Sequence, residues 1–221
     1  MREKLIIFGT KEEAEVAFYY FTHDSDYDVI GFCVDKSYKE SDSFCSLPVY
    51  DFETIEHTHS PADTSMFISI GFSKLNRNRR AKYDEAKAKG YRLASYISSK
   101  ATVLNDGAIG DNCFILEDNT IQPFSRIGNN VTVWSGNHIG HHSVLEDDCF
   151  ISSHVVISGN VIVGRGCFIG VNSTLRDHIT VGEYCLLGAG TILLKNAPPK
   201  SIYGVHGTPP SKLTTDDINL I

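Results

Sequence analysis

The sequence lacks the features that mark several common classes of protein. Its 221 residues include 27 acidic and 20 basic ones, and the net charge of −7 argues against a nucleic-acid platform with a basic face. No apolar run approaches the roughly 20 residues that a transmembrane helix needs. The apolar run at residues 5–8 is also too short for a signal peptide. We therefore expect a cytoplasmic protein with no membrane insertion.

Motifs for metals and dinucleotides are also missing. The chain has six cysteines but no Cys-x-x-Cys pair, and four of the six are separated by multiples of six residues: Cys113, Cys149, Cys167 and Cys185. This shared phase predicts small buried side chains rather than disulfides or metal ligands. No Gly-x-Gly-x-x-Gly occurs either, so a dinucleotide cofactor is not expected. We expect no metal requirement.

The first 97 residues alternate between short apolar runs and amphipathic segments, which predicts a small parallel α/β domain resembling half of a Rossmann fold. Gly90 is placed to end the last helix as a C-cap. The predicted strands are 5–9, 29–34, 66–70 and 93–97, and the predicted helices are 12–21 and 76–89. Ligands of open parallel sheets bind at the carboxyl ends of the strands. The residues at these ends are Gly9, Thr10, Asp35, Lys36, Gly71 and Phe72.

From residue 101 onward the sequence repeats with a period of six, in which every sixth residue is Val, Ile or Leu. A helix with 3.6 residues per turn would scatter these positions around its surface. A three-sided coil of 18 residues would instead turn all of them inward, giving about five stacked coils. The series is Val103, Ile109, Ile115, Ile121, Ile127, Val133, Ile139, Leu145, Ile151, Ile157, Val163, Ile169, Leu175, Val181, Leu187 and Leu193.

This repeat, together with the α/β segment before it, resembles a known family. It is similar to the left-handed β-helix sugar acyltransferases of the sialic-acid O-acetyltransferase and bacillosamine N-acetyltransferase type. The segment Trp134–Ser143 looks most like enzymes that acetylate dTDP-4-amino-4,6-dideoxyglucose or GDP-perosamine. The resemblance implies a left-handed coil, acetyl-CoA as co-substrate, a homotrimer and a role in lipopolysaccharide, O-antigen or other glycan biosynthesis.

The same resemblance implies a division of the chain. Residues 1–97 would bind the nucleotide-linked amino sugar, residues 98–200 would form the acetyl-CoA-binding coil, and residues 201–221 would be a C-terminal tail. In the crevice of the first domain, Asp35 would accept a hydrogen bond from the base and Phe72 would stack on it. The basic residues Arg77, Arg79 and Arg80 would either reach the pyrophosphate or form a solvated helix face.

The resemblance also assigns the general base to His141, which leaves the corner of the coil two residues after the inward Ile139. Family members commonly carry Asp or Glu at the next position, whereas this chain carries His142. The residue that would orient His141 is therefore open. Asn137 and Glu146 are candidates, and His138 and His142 are candidates for substrate contact.

For acetyl-CoA, the resemblance places the backbone N–H of Gly159 at the thioester oxygen. Small corner residues would let the pantetheine chain lie against the backbone, and basic residues would meet the phosphates. The candidate residues are His154, Gly159, Gly170, Gly188, Ala189, Lys195 and Lys200.

Three other functions stay open at this point. The first is O-acetylation of a sialic acid or another free sugar. The second is a γ-type carbonic anhydrase, which would use histidines from neighbouring subunits to bind zinc. The third is a β-helix that serves only as a scaffold.

Overall fold

The structure of the chain is a computed structural model that describes residues 2–204 and, beyond them, residues 207, 209, 211 and 214. Most of the predicted C-terminal tail, residues 201–221, lies outside the described residues. Within the described part of the chain, no helix is both long and apolar enough to cross a membrane.

The N-terminal part is built on a five-stranded sheet, which confirms the predicted α/β fold. The strands are β1 (Glu3–Phe8), β2 (Tyr27–Val34), β3 (Ser43–Phe44), β4 (Leu47–Asp51) and β5 (Thr64–Ile68). Their order is β3-β4-β2-β1-β5, and all neighbours are parallel except the edge pair β3 and β4, which is antiparallel. The sequence did not predict this edge pair.

Two helices flank the sheet, α1 (Glu12–His23) and α2 (Arg77–Ala88). Two short 3-10 segments also occur, at Lys36–Tyr38 and Phe52–His57. The buried positions of α1 are Ala14, Ala17 and Phe21. Helix α2 ends as predicted at Gly90, whose φ of +91° is the left-handed conformation that glycine tolerates best.

The prediction of one strand over 93–97 was wrong, because the segment divides between the two parts of the chain. Leu93 forms an isolated parallel bridge to Met66 of the N-terminal sheet. Tyr96 and Ile97 then pair with the coil strand at Phe114 and Ile115. Between them, Ser95 Oγ donates to the carbonyl oxygen of Gly110 at 3.0 Å, so the coil begins within this segment.

The rest of the chain forms a three-sided left-handed coil of two-residue strands. The first sheet contains β6 (Tyr96–Ile97), β8 (Phe114–Ile115), β11 (Thr132–Val133), β14 (Phe150–Ile151), β17 (Phe168–Ile169), β20 (Leu186–Leu187) and β22 (Ile202–Tyr203). The second contains β7 (Thr102–Val103), β9 (Thr120–Ile121), β12 (His138–Ile139), β15 (Val156–Ile157), β18 (Thr174–Leu175) and β21 (Ile192–Leu193). The third contains β10 (Arg126–Ile127), β13 (Val144–Leu145), β16 (Ile162–Val163) and β19 (Thr180–Val181).

The predicted inward positions are the core of this coil. Strand partners are 18 residues apart, as in the pair His138 and Val156, so each coil stacks in register on the next. The aliphatic series fills the interior from end to end, with Val103 and Ile109 only partly buried at the open end. The four phased cysteines are fully buried as well, and burial raises the pKa of the Cys113 and Cys167 thiols to about 12. They are inert core side chains.

The N-terminal part packs on the outer face of the first sheet. Phe67 and Phe114 join one apolar cluster from opposite sides of this contact, with ring centroids 5.5 Å apart. The ring of Phe72 lies against Phe150 and Phe168 at 5.3 and 4.8 Å. The second and third sheets, and the edge where these two sheets meet, are left uncovered by the N-terminal part.

Candidate active site

The candidate base lies on the edge that joins the second and third sheets, which we call the His141 edge (corner residues 122–125, 140–143, 158–161, 176–179 and 194–196). Along this edge, equivalent positions of successive coils are 18 residues apart. His141 is therefore followed by Gly159 and then by Asp177. The backbone N–H of Asn160 donates to the carbonyl oxygen of His141 at 2.9 Å and ties the two coils together.

The imidazole of His141 lies against the backbone of Gly159. A Cβ atom built on Gly159 would fall 2.7 Å from both Cε1 and Nε2 of the His141 ring. The corner itself does not require glycine here, since His141 and Asp177 occupy equivalent positions with full side chains. Glycine at 159 therefore makes room for the imidazole.

The N–H of Gly159 is a free donor beside this imidazole. One coil earlier, the N–H of His141 donates to Oε1 of Gln122 at 2.9 Å. The residue equivalent to Gln122 in the next coil is Gly140, which has no side chain to accept a hydrogen bond. Among the described residues, no acceptor meets the Gly159 N–H. A base and an unsatisfied N–H donor thus lie side by side on an exposed edge.

His142 stands directly beside the candidate base. Its Nδ1 atom lies 3.1 Å from Nδ1 of His141, and the two rings are nearly perpendicular. The backbone of His142 is left-handed, with a φ of +58°. On its other side, the ring of Phe124 lies 4.8 Å away. The candidate orienting residue at 142 thus contacts His141.

The other two candidates for orienting His141 are engaged elsewhere. Asn137 is 2% exposed, and its amide donates to the carbonyl oxygen of Trp134 and accepts from the N–H of Val155 inside the coil. Glu146 lies on the edge between the third and first sheets, where its Oε2 accepts from the N–H of Arg165 at 2.9 Å. Neither is available to orient His141.

His138 occupies the outer face of the second sheet, between Thr120 and Val156 of the adjacent coils. Its side chain is partly buried and points away from the core, because the next residue, Ile139, points inward. Its predicted role in substrate contact stays a prediction.

The residues predicted for acetyl-CoA divide between two edges of the coil. Gly159 and Lys195 lie on the His141 edge, whereas His154, Gly170, Gly188 and Ala189 lie on the edge between the first and second sheets. His154 is therefore not next to His141, and its imidazole lies against Gly136, where a built Cβ would fall 2.6 Å from Cε1 and Nδ1. The second sheet separates the two edges. Lys200 follows the last coil, where its N–H donates to the carbonyl oxygen of Glu183.

At the carboxyl ends of β1, β2 and β5 there is an open crevice of about 650 Å³. Five of the six predicted residues line it, namely Gly9, Thr10, Asp35, Gly71 and Phe72. Lys36 does not line it, and its N–H donates instead to the carboxylate of Glu53. Sequence reasoning missed four further lining residues, Lys11, Tyr38, Lys74 and Lys82. Helical spacing could have revealed Lys82, which lies one turn beyond Asn78, another lining residue.

Two crevice residues have partners that bear on their predicted roles. The carboxylate of Asp35 accepts from Nζ of Lys82 at 2.8 Å, so it presents a neutralised pair to a ligand. Phe72 packs one side on the coil and remains 53% exposed. An exposed ring held from behind by two others is well suited to stacking.

The arginines of α2 connect the two parts of the chain and do not face the crevice. Arg79 is 2% exposed, and its guanidinium donates to Oδ1 of Asn130 and to the carbonyl oxygens of Asp148 and Cys149 at 3.2–3.3 Å. Burial lowers the pKa of Arg79 to about 10. The expectation that it reaches a pyrophosphate was therefore wrong.

The neighbouring arginines also belong to the contact with the coil. Arg77 stacks over the ring of Tyr184 at 4.1 Å. Arg80 pairs with Asp84 at 2.8 Å and with the buried Asp148 at 3.4 Å.

The crevice and the His141 edge lie on opposite sides of one chain. In a three-sided coil, the edge between the second and third sheets faces away from the first sheet. The N-terminal part packs on the first sheet, through contacts such as Phe72 with Phe168. A ligand held in the crevice of one chain is thus separated from the His141 of that chain by the width of the coil.

Comparison with known proteins agrees with this architecture. Four overlapping segments that together span residues 106–195 match the model described as bacterial transferase hexapeptide (six repeats). Residues 106–195 are a bacterial transferase hexapeptide segment. No curated protein matches the chain by sequence.

Solved structures extend the likeness to nine-tenths of the chain. The acetyltransferase domain of PglB from Neisseria gonorrhoeae FA1090, in complex with acetyl coenzyme A, is 23% identical, with 91% of this chain and 96% of that chain covered and a TM-score of 0.81. PerB from Caulobacter crescentus, in complex with CoA and GDP-perosamine, is 20% identical, with 91% and 94% covered and a TM-score of 0.78. WeeI from Acinetobacter baumannii AYE is 15% identical, with 91% and 97% covered and a TM-score of 0.75.

These comparisons establish the fold, an N-terminal α/β part followed by a left-handed hexapeptide coil. Among the residues that the structure describes, no group of three or more His, Cys, Asp or Glu side chains is arranged to hold a metal ion.

Proposed function

We propose that the protein is an acetyl-CoA-dependent N-acetyltransferase that acts on the amino group of a nucleotide-linked 4-amino-4,6-dideoxy sugar. The observation that carries this proposal is the imidazole of His141 lying against Gly159, whose N–H has no acceptor among the described residues. Acyl transfer to an amine needs such a pair, a base for the amine proton and a donor for the thioester oxygen. The complexes of similar folds with acetyl coenzyme A, and with CoA and GDP-perosamine, support the choice of substrates.

In the proposed reaction, the sugar amine attacks the thioester carbonyl and a C–N bond forms. Nε2 of His141 takes one proton from the attacking nitrogen, while the N–H of Gly159 donates to the oxygen as it gains negative charge. The C–S bond then breaks and the proton passes to the thiolate, which leaves as CoA. The products are the N-acetylated sugar and CoA, so atoms and charge balance without a metal or a covalent enzyme intermediate.

We place the nucleotide in the crevice at the carboxyl ends of β1, β2 and β5. The exposed ring of Phe72 offers a stacking surface for the base. Three lysines that line the crevice, Lys11, Lys74 and Lys82, supply positive charge for a diphosphate. The pairing of Asp35 with Lys82 leaves Asp35 a weaker acceptor for a base N–H than a free carboxylate would be.

Because this crevice and His141 lie on opposite sides of one chain, we propose that the active site forms between chains of a homotrimer. One subunit would supply the nucleotide crevice and a neighbour would supply His141. The same arrangement would bring the corner with Gly170, Gly188 and Ala189 of one coil beside the His141 edge of another, so that acetyl-CoA lies between two coils. Such a ring closes by a head-to-tail contact repeated three times.

Subunit mixing tests this arrangement. One variant, His141→Asn, lacks the base, and a second, Thr10→Trp, has its crevice filled by a bulky ring. Random mixed trimers of the two should recover about one-quarter of wild-type activity, since half of the crevices and half of the bases are intact and are drawn independently. Recovery of no activity, with mixed trimers confirmed by mass spectrometry, would show that both parts act within one chain.

The activity itself is tested by following CoA thiol release from acetyl-CoA with UDP-, dTDP- and GDP-linked 4-amino-4,6-dideoxy sugars. We expect turnover with at least one of these sugars and none with the matching 4-hydroxy sugar or with free sialic acid. Thiol release that requires a hydroxyl acceptor would replace the proposal with O-acetylation.

A further inference from the structure

We propose that His142 is the positioning residue for His141, accepting a hydrogen bond from its Nδ1–H through its own neutral Nδ1. This inference deepens the proposed function and rests on it. The two Nδ1 atoms are 3.1 Å apart, which is hydrogen-bond distance for two ring nitrogens. Two nitrogens at this distance share one proton, because two N–H groups facing each other, or two lone pairs, would repel.

Proton placement decides what His141 can do. With the shared proton on Nδ1 of His141, its Nε2 carries a lone pair, and this is the atom that lies at Gly159. With the proton on Nδ1 of His142 instead, neutral His141 would carry its proton on Nε2 and could not act as a base there. A neutral His142 with its proton on Nε2 thus fixes the reactive tautomer of His141, in the way that a hydrogen bond to one ring nitrogen fixes the state of the other.

The coil holds His142 in place for this task. Its backbone takes the left-handed conformation, and its N–H donates to the carbonyl oxygen of Pro123 in the preceding coil at 3.3 Å. The ring of Phe124 packs on the imidazole at 4.8 Å. Both constraints come from the protein alone, so the two imidazoles meet before any substrate binds.

No other candidate takes this role within the described residues. Gln122 bonds the backbone N–H of His141 rather than its ring. The amide of Asn137 is used inside the coil, and the carboxylate of Glu146 is bonded on another edge.

A matched pair of variants tests the inference. In His142→Asn, the amide Oδ1 is attached as Nδ1 is in histidine and accepts a hydrogen bond in its place. In His142→Leu, a methyl group of nearly the same shape fills that position and accepts nothing. We expect the asparagine variant to keep kcat within about threefold of wild type and the leucine variant to lose about 10- to 100-fold, with KM for both substrates unchanged.

The outcome separates this inference from the proposed function. Loss of activity in His141→Asn with full activity in His142→Leu would keep the base and remove His142 from the positioning role. Equal loss in the asparagine and leucine variants would also overturn it, since only one of them lacks the acceptor. If wild type transfers acetyl to no amine at all, the proposed function itself fails.

A spectroscopic measurement on wild-type protein keeps the test decisive if the leucine variant does not fold. Nitrogen-15 NMR of the neutral enzyme reports which ring nitrogen carries the proton. We expect the proton of His141 on Nδ1 and that of His142 on Nε2, and the reverse assignment at His141 would overturn the inference.

Discussion

Replacing Gly159 with alanine tests whether the fit between this glycine and the imidazole of His141 matters for catalysis. The added Cβ would fall 2.7 Å from Cε1 and Nε2 of the ring, whereas carbon atoms in ordinary contact lie about 3.5–4.0 Å apart. The ring must therefore retreat by about 1 Å, and a misplacement of that size costs on the order of 100-fold in rate. The backbone at Gly159 is not left-handed, so alanine adds little strain.

The assay is CoA thiol release by Gly159→Ala, with the melting temperature as a control for folding. We expect kcat to fall about 100-fold while the melting temperature changes by only a few degrees. Combining the substitution with His141→Asn should cause no further loss, because the alanine acts through the ring that the second change removes. Unchanged kcat in the single variant, or a full additional loss in the double variant, would refute this reasoning.

Three further predictions concern stability and cofactor use. Replacing Arg79 with methionine leaves the side-chain oxygen of Asn130 and buried backbone carbonyls unsatisfied, so urea unfolding should show a loss of about 3 kcal/mol, and an unchanged midpoint would contradict the docking role. Hydrogen bonds from Tyr96 and Ser99 lower the pKa of Asp24 from 3.8 to about 2, so the stability they add is complete above pH 3.8 and is lost as the pH falls towards 2. Asp24→Asn should therefore be less stable than wild type at pH 7, with the gap closing between those two values, and a gap that is constant with pH would argue against this linkage. A chelator should leave the acetylation rate unchanged, and a loss that zinc restores would favour the metalloenzyme alternative.

The repeat made the coil predictable because its period is a geometric rule. An aliphatic residue every six positions must point inward on each side, and the cysteines in the same phase follow it. The same arithmetic also separates the edges, although it was not applied to the histidines. His141 and His154 are 13 residues apart, which is not a multiple of 18, so they cannot occupy equivalent corners.

Other features depend on contacts that no local pattern reveals. Arg79 lies in a helix rich in charge, and its burial results from carbonyl oxygens and Asn130 on the coil edge, 51 or more residues away. The edge pair β3 and β4 is short, and its turn uses left-handed backbone at Cys45 and Ser46, residues that give no strong turn signal. The role of His142 likewise required a distance between two rings.

The most direct test of the account compares wild type with His141→Asn in the presence of acetyl-CoA and the best nucleotide-linked amino sugar. We predict that the variant loses at least about 100-fold in kcat, since it lacks the general base, while calorimetry shows that acetyl-CoA still binds. A variant that retains wild-type kcat would contradict the central claim that His141 removes the amine proton.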